Sequence, residues 1–160
     1  MFINPTIIIT AEILCLIALC YIGFCDLRYR LVEHEIAYIL MLVCGIFTGT
    51  SFTDKAIGLL GLPIIMIVCA LILSKIKNVE CTSLIGGADI KTIAATGFAY
   101  GPYALLFALF LSVFEAIPFI KHPKLWMKDK NSESSGGVPF CTLLAFNILA
   151  LEIWQLSTAL

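Results

Sequence analysis

The chain has 160 residues, of which 61% are hydrophobic and 13% are charged, and its formal net charge is −1. Its mean hydropathy is +1.03. Soluble domains carry about half apolar and about a quarter charged residues, so the composition excludes an ordinary soluble domain and predicts an all-α, polytopic membrane protein. The nearly neutral charge points to no particular partner beyond the lipid bilayer, and we expect no nucleic acid.

Six apolar segments are predicted to span the membrane within a single domain of residues 1–160. A spanning helix needs about 20 residues, because each adds about 1.5 Å across a hydrocarbon layer of about 30 Å. The predicted spans are residues 6–24, 36–50, 56–73, 85–100, 103–120 and 139–156, and Gly101–Pro102 is predicted to break the fourth and begin the fifth. The first lacks a small-residue cleavage site and is interpreted as a retained helix.

The basic residues predict the orientation of these spans. When the loop with Arg28 and Arg30 is placed in the cytosol, nine of the ten basic residues fall on the cytosolic side, as the positive-inside rule requires. The nine are Arg28, Arg30, Lys75, Lys77, Lys91, Lys121, Lys124, Lys128 and Lys130, and only Lys55 falls outside. Six spans then leave both chain ends on the exterior.

The fourth segment, "LIGGADIKTIAATG", carries a carboxylate at its beginning. From Asp89 to Tyr100 there is only about 18 Å of helix, which is too short to cross a bilayer. The preceding Gly86 and Gly87 allow unusual backbone angles and close approach. Non-helical backbone at this depth is tolerated only where protein or water surrounds it. We therefore expect Asp89 to occupy a sheltered, partly wet site on the cytosolic side.

A second carboxylate, Asp26, directly follows the first predicted span at the same boundary. Taken singly, Asp26 reads as a solvated charge and Asp89 as an acid favoured by a helix N-terminus. Taken together they predict a dyad, because two neighbouring carboxylates share a proton and titrate as a coupled pair. One can activate water while the other hydrogen-bonds a scissile carbonyl. Such aspartic-protease chemistry needs no metal or cofactor.

The cysteines predict neither a zinc site nor a disulfide framework. None forms a C-x-x-C pair, and most lie inside apolar runs, where a free thiol behaves as a small hydrophobe. They are residues 15, 20, 25, 44, 69, 81 and 141.

Three short motifs resemble the type IV prepilin peptidases and their preflagellin relatives. "GGADIK" resembles the G-x-G-D-x-K signature, "CDLRYR" resembles the stretch around the first catalytic aspartate, and "GGVPF" resembles a third recurring stretch. The likeness covers about residues 20–145. It implies a six-helix aspartic endopeptidase of the cell membrane that cuts the basic leader of prepilin-like or preflagellin-like proteins on the cytosolic side, in type IV pilus assembly or protein secretion.

The resemblance also implies roles for particular residues. Asp26 and Asp89 match the catalytic pair, and Gly86 and Gly87 match the glycine stretch that positions it. Lys91 matches the lysine of the signature, which either anchors the helix at the membrane surface or orients Asp89 or the substrate. Arg28 has the same two possible roles, and membrane anchoring is favoured for it.

The sequence departs from the family pattern in three places. Ala88 replaces the last glycine of the signature. The segment "LVEHE" brings Glu33, His34 and Glu35 near the proposed site, where many relatives have an Ile-Pro-Asn-like stretch. Larger relatives have an N-terminal cytosolic insert with paired C-x-x-C motifs and methylate the new N-terminus. Neither feature is present in this sequence, so we expect cleavage alone.

Two other classes of function remain open. Glu12, Glu115 and Glu152 lie inside predicted spans, where carboxylates are functional candidates, so a small proton-coupled transporter or channel subunit is one alternative. No internal repeat supports it. A non-catalytic membrane scaffold is another. A presenilin-like protease is disfavoured, because such enzymes place both acids deep within helices.

Overall fold

The computed structural model describes residues 4–29, 35–78, 86–121 and 139–159, and every regular element among them is helical. The elements are α1 (Pro5–Tyr29), α2 (Glu35–Gly45), α3 (Phe52–Ala56), a π-helical stretch (Ile57–Gly61), α4 (Leu62–Lys77), α5 (Gly87–Lys121) and α6 (Phe140–Ala159). The predicted all-α class is therefore confirmed. α3, the π-helical stretch and α4 follow one another without a break and are treated below as the 52–77 helix.

Local sequence signals set several helix ends. Asn4 caps α1 by accepting a hydrogen bond from the Thr6 N–H at 3.0 Å. Ser51 caps α3 by accepting from the Asp54 N–H at 3.1 Å, and its hydroxyl donates to the Asp54 carboxylate at 2.7 Å. Asn78 ends α4 in the left-handed conformation, with φ 55°.

The bundle has two polar ends. One, the Asp end, holds Asp26 in the last turn of α1 and Asp89 in the first turn of α5. At the other, the Glu12 end, the Tyr100 hydroxyl donates to the backbone carbonyl of Glu12 at 3.3 Å, and Glu152 interacts electrostatically with Glu12. The first residues of α1 and the last of α6 both lie at the Glu12 end.

The helix that begins at Gly87 turns at Gly101, which has φ 83° and ψ 169°. Thr92, before the turn, lies 3.2 Å from the thiol of Cys141, and Ser112, after it, lies 3.1 Å from the amide of Asn147. In a straight helix Thr92 and Ser112 would be about 30 Å apart, whereas six residues of α6 span about 9 Å. Both halves of α5 therefore pack against α6, and the predicted break at Gly101–Pro102 is present.

Two glycines bring α5 against the 52–77 helix. Gly58, in the π-helical stretch, faces Gly97, and a Cβ atom on either would overlap the backbone of the other. Small residues of this kind let helices approach closely where no large side chains interlock. The largest fully buried apolar side chains of the core are Leu19, Ile22, Met41, Ile93, Leu105, Leu144 and Ile148.

The outer surface is apolar enough for a membrane. By length and composition alone, three helices could cross one: Pro5–Arg28, Phe52–Ile76 and Gly87–Pro118, of which the last turns at Gly101. The apolar helices Glu35–Gly45 and Phe140–Gln155 are shorter. Only 17% of the most apolar window of Phe52–Ile76 is buried, so most of its side chains require an apolar environment. The number of spans, six, and the exterior placement of both ends stay predictions.

Some predicted boundaries differ from the structure. α1 continues to Tyr29, so Asp26 lies on the helix rather than after it. α2 ends at Gly45, five residues before the end of the predicted span, because residues 46–50 form a turn. Glu33, His34 and residues 122–138, which hold Lys124, Lys128 and Lys130, lie outside the described residues.

Candidate active site

Asp26 points from the last turn of α1 to the beginning of α6. Its Oδ2 accepts a hydrogen bond from the backbone N–H of Thr142 at 3.3 Å and lies 3.5 Å from the Thr142 hydroxyl. That hydroxyl also donates to the carbonyl of Gly23, one turn earlier in α1, at 2.7 Å. The first N–H groups of a helix have no partner within the helix. Asp26 therefore caps α6 from a different helix.

Asp89 occupies the third position of α5 and caps its own helix. Its carboxylate accepts a hydrogen bond from the backbone N–H of Gly86, as the acid of a capping box does. Its Oδ1 also accepts from the thiol of Cys141 at 3.6 Å. A Cβ atom on Gly86 would lie 3.1 Å from Oδ2 of Asp89, so glycine leaves room for the carboxylate there.

The two carboxylates therefore meet consecutive residues of one helix. Cys141 contacts Asp89, and Thr142 contacts Asp26, in the first turn of α6. Since consecutive Cα atoms are about 3.8 Å apart, these contacts place the two carboxyl groups within about 12 Å of each other. Both side chains are half-buried, so each remains open to water.

A polar chain continues from Cys141 into the core. The hydroxyl of Thr92 lies 3.2 Å from the Cys141 thiol and 3.1 Å from the hydroxyl of Tyr38. Thr92 donates to the carbonyl of Ala88 at 2.8 Å, and Tyr38 reaches the same oxygen at 3.4 Å. This chain ties α2, α5 and α6 together directly beside Asp89, because each polar group buried there needs a partner.

The other predicted site residues lie around this centre with different partners. Lys91 forms an exposed ion pair with Glu35 at 3.2 Å, which joins α5 to α2. Arg28 is exposed in the last turn of α1, two residues after Asp26. Gly87 has nothing within 4 Å of the position of an added Cβ. No contact within the described part of the chain therefore requires a residue as small as glycine there. Ala88 continues the helix and supplies the carbonyl that Thr92 and Tyr38 share.

Four residues that surround the carboxylates were not predicted from the sequence: Tyr38, Thr92, Cys141 and Thr142. Cys141 and Thr142 directly follow the "GGVPF" stretch at the beginning of the last helix. Thr92 lies three residues after Asp89 and therefore on the same helix face. The proximity of Cys141 and Thr142 to the "GGVPF" motif and of Thr92 to Asp89 could have indicated these three residues from the sequence. Tyr38 lies on another helix, and no motif indicated it. Among the described residues, no group of three or more His, Cys, Asp or Glu could hold a metal ion.

An all-helical chain with an apolar outer surface and two half-buried carboxylates at one end defines a membrane protein with a candidate acid site. Comparison with known families matches residues 13–120 to the type IV leader peptidase family. The chain belongs to that family, and is thus a membrane protease of the kind that acts on prepilin-like proteins. No curated protein and no solved structure matches the chain in the same comparisons. The matched segment includes Asp26 and Asp89 but ends before α6.

Proposed function

We propose that this protein is an aspartic endopeptidase that cuts the basic leader from type IV prepilin-like proteins at the cytosolic side of the cell membrane. Asp26 and Asp89 are its catalytic pair, and the reaction uses neither metal nor cofactor. The observation that carries the proposal is the convergence of these two carboxylates on consecutive residues of α6. Their helices are separated by more than fifty residues of sequence.

The chemistry follows from two carboxyl groups that share one proton. The ionised group removes a proton from water, and the oxygen of that water attacks the carbonyl carbon of the scissile peptide bond. The protonated group hydrogen-bonds the carbonyl oxygen and stabilises the charge that develops there. When the C–N bond breaks, the leaving nitrogen takes up a proton from the pair. The pair gains one proton from water and gives one to the leaving nitrogen. It therefore ends the reaction with the single proton that it held at the start.

The surroundings of the pair fit a substrate with an apolar helix and a basic leader. A groove of about 270 Å³ lies between α2, α5 and the 52–77 helix, beside the Glu35–Lys91 ion pair. Its apolar wall is formed by Ile39, Leu42, Leu59, Ala94 and Ala95. The apolar segment of the substrate would contact this wall, and Glu35 would attract the basic leader. Glu33 and Glu80, which we predict to act with Glu35, lie outside the described residues.

The competing interpretation is that both carboxylates serve only to cap helices. Capping accounts for the contacts of Asp26 with Thr142 and of Asp89 with Gly86. Asparagine keeps a side-chain oxygen that can accept the same N–H hydrogen bonds. An Asp→Asn change therefore preserves the cap but removes the acid, which separates the two roles.

The test is cleavage of a prepilin-like substrate by the full chain in liposomes. We expect wild type to cut at the leader boundary, and Asp26→Asn and Asp89→Asn each to lose at least about 10³-fold in kcat, because both halves of the acid–base chemistry are needed. Glu12→Gln, at the opposite end, is the matched control and should retain full activity. Thermal unfolding in detergent should show all three variants folded.

The outcomes separate the functions. Cleavage by either folded Asp→Asn variant would show that this carboxylate is a cap and not a catalyst. If wild type cuts no member of a varied panel of prepilin-like substrates, the endopeptidase proposal is wrong. The proton-coupled transporter would then be examined through Glu12, Glu115 and Glu152. Two of these already have partners, since Glu12 accepts from the Gly49 N–H at 3.4 Å and Glu115 from the Asn147 amide at 2.9 Å.

A further inference from the structure

We propose that the first turn of α6 sets the geometry of the catalytic pair, with Cys141 positioning Asp89 and Thr142 positioning Asp26. This inference rests on the proposed function. It assigns work to two residues that carry no acid and lie beyond the segment matched to the family.

Cys141 is held so that its thiol serves Asp89. Its side chain is 1% exposed, and its sulfur lies 3.6 Å from Oδ1 of Asp89 and 3.2 Å from the hydroxyl of Thr92. An ionised carboxylate can only accept, so the thiol is the donor in the contact with Asp89. The Thr92 hydroxyl donates to the Ala88 carbonyl at 2.8 Å, so the oxygen of Thr92 is a second acceptor within reach of the same S–H. A purely apolar role would not require contact with two polar atoms.

Thr142 donates two hydrogen bonds to α1, at positions about one turn apart. Its hydroxyl donates to the Gly23 carbonyl, and its N–H donates to the Asp26 carboxylate. Gly23 permits this approach, because a Cβ there would lie 3.2 Å from the Cα of Thr142. The hydrogen bond from the Thr142 hydroxyl to Gly23 thus fixes the distance between α6 and α1. The hydrogen bond from the Thr142 N–H then holds the Asp26 carboxylate in place relative to the two helices.

The register of α6 is fixed further along the same helix. The Nδ2 of buried Asn147 lies 2.9 Å from the Glu115 carboxylate and 3.1 Å from the Ser112 hydroxyl. Asn147 is about 9 Å along α6 from Cys141, so a shift of α6 along its axis would break both sets of contacts. One rigid helix therefore controls both carboxylates, and their separation depends on a single residue step.

The experiment compares variants that remove a side-chain donor with variants that keep it. Cys141→Ala and Thr142→Val should each lower kcat about tenfold with little change in KM. The first deletes the side-chain hydrogen bond to Asp89, and the second deletes the bond to Gly23 that holds α6, and with it the N–H of residue 142, against α1. Cys141→Ser and Thr142→Ser retain a donor and should recover most of the lost kcat. A role in packing alone would not respond to the hydroxyl in this way.

Two matched controls lie away from the Asp end. Cys15→Ala removes another fully buried thiol, whose sulfur contacts the Met41 carbonyl at 3.6 Å. Thr10→Val removes a hydroxyl that donates to a carbonyl of its own helix. Both should leave kcat unchanged, and melting temperatures should confirm that every variant is folded.

Failure of this inference differs from failure of the proposed function. If wild type cleaves and Asp26→Asn and Asp89→Asn do not, but Cys141→Ala and Thr142→Val match their controls in kcat, positioning by α6 is wrong while the endopeptidase stands. Loss of kcat that serine does not restore would also overturn it, because the donor would not be the cause. If wild type cuts no substrate, the proposed function falls and the positioning role falls with it.

Discussion

The two polar ends of the bundle use buried charge in different ways. At the Glu12 end, Lys55 is only 5% exposed and its ammonium group donates to the carbonyls of Ile46 at 2.9 Å and Thr48 at 3.0 Å. At the Asp end, Asp26 and Asp89 remain half-buried and contact α6 from α1 and α5. The cation is enclosed by a turn close to it in sequence, whereas the anions are brought together from distant helices.

This difference distinguishes a structural charge from a candidate catalytic one. Lys55 supplies partners to carbonyls that follow the end of α2 and would otherwise be unsatisfied. It is largely enclosed, so water and substrate have little access to it. The carboxylates are capped but accessible, and each is oriented by side chains that could have been apolar. Burial of a titratable group therefore does not by itself mark an active site; accessibility and long-range contacts do.

The largest expected effect comes from breaking the close contact between α5 and the 52–77 helix. Gly58→Ala places a Cβ atom against the backbone of Gly97, and no flexible side chain can yield there. We expect a loss of about 3 kcal/mol in unfolding free energy. Because α5 carries Asp89, kcat should fall as well. Denaturant unfolding in detergent, combined with the cleavage assay, measures both.

Gly61→Ala is the matched control in the same π-helical stretch. Its Cβ would meet only the Ile57 side chain of the same stretch, at an ordinary 3.5 Å, and its backbone is helical with φ −64°. Alanine there should be neutral or slightly stabilising, by up to about 1 kcal/mol. Equal destabilisation by both variants would contradict the close approach of Gly58 and Gly97.

A smaller effect, confined to one end, is expected from Lys55→Met. Methionine keeps the length of the side chain but leaves the carbonyls of Ile46 and Thr48 without their donor, which costs about 2 kcal/mol. The kcat of the folded fraction should not change. Lys75→Met, at an exposed position in α4, is the control and should leave stability within about 0.5 kcal/mol. A loss of kcat in folded Lys55→Met would show that the two ends are coupled.

The contrast between these ends also shows which features can be predicted from the sequence and which cannot. Apolar run lengths predicted the helices, and Gly101–Pro102 predicted the turn in α5, because both depend on local chemistry. The same run lengths placed Lys55 simply among the exterior loops, since its carbonyl partners are defined only once the 46–50 turn has folded. Cys141 read as a small hydrophobe for the same reason. Its polar contacts with Asp89 and Thr92 exist only after α6 has packed against α5.

The smallest effect on stability, and the finest test of the Asp end, concerns the ion pair of Lys91 and Glu35. Both side chains are more than half exposed, at 56% and 75%, so breaking the pair should cost less than about 1 kcal/mol.

The ion pair is expected to matter more for binding of the substrate. If Glu35 attracts the basic leader, Glu35→Gln should raise KM about threefold, and Lys91→Met, which releases Glu35 from its partner, should lower KM. Both shifts should disappear at high salt. A substrate whose leader has glutamine in place of its basic residues should give the same KM with all three proteins. Shifts of KM in the same direction for the two variants would show that the pair acts only as a clasp between α2 and α5.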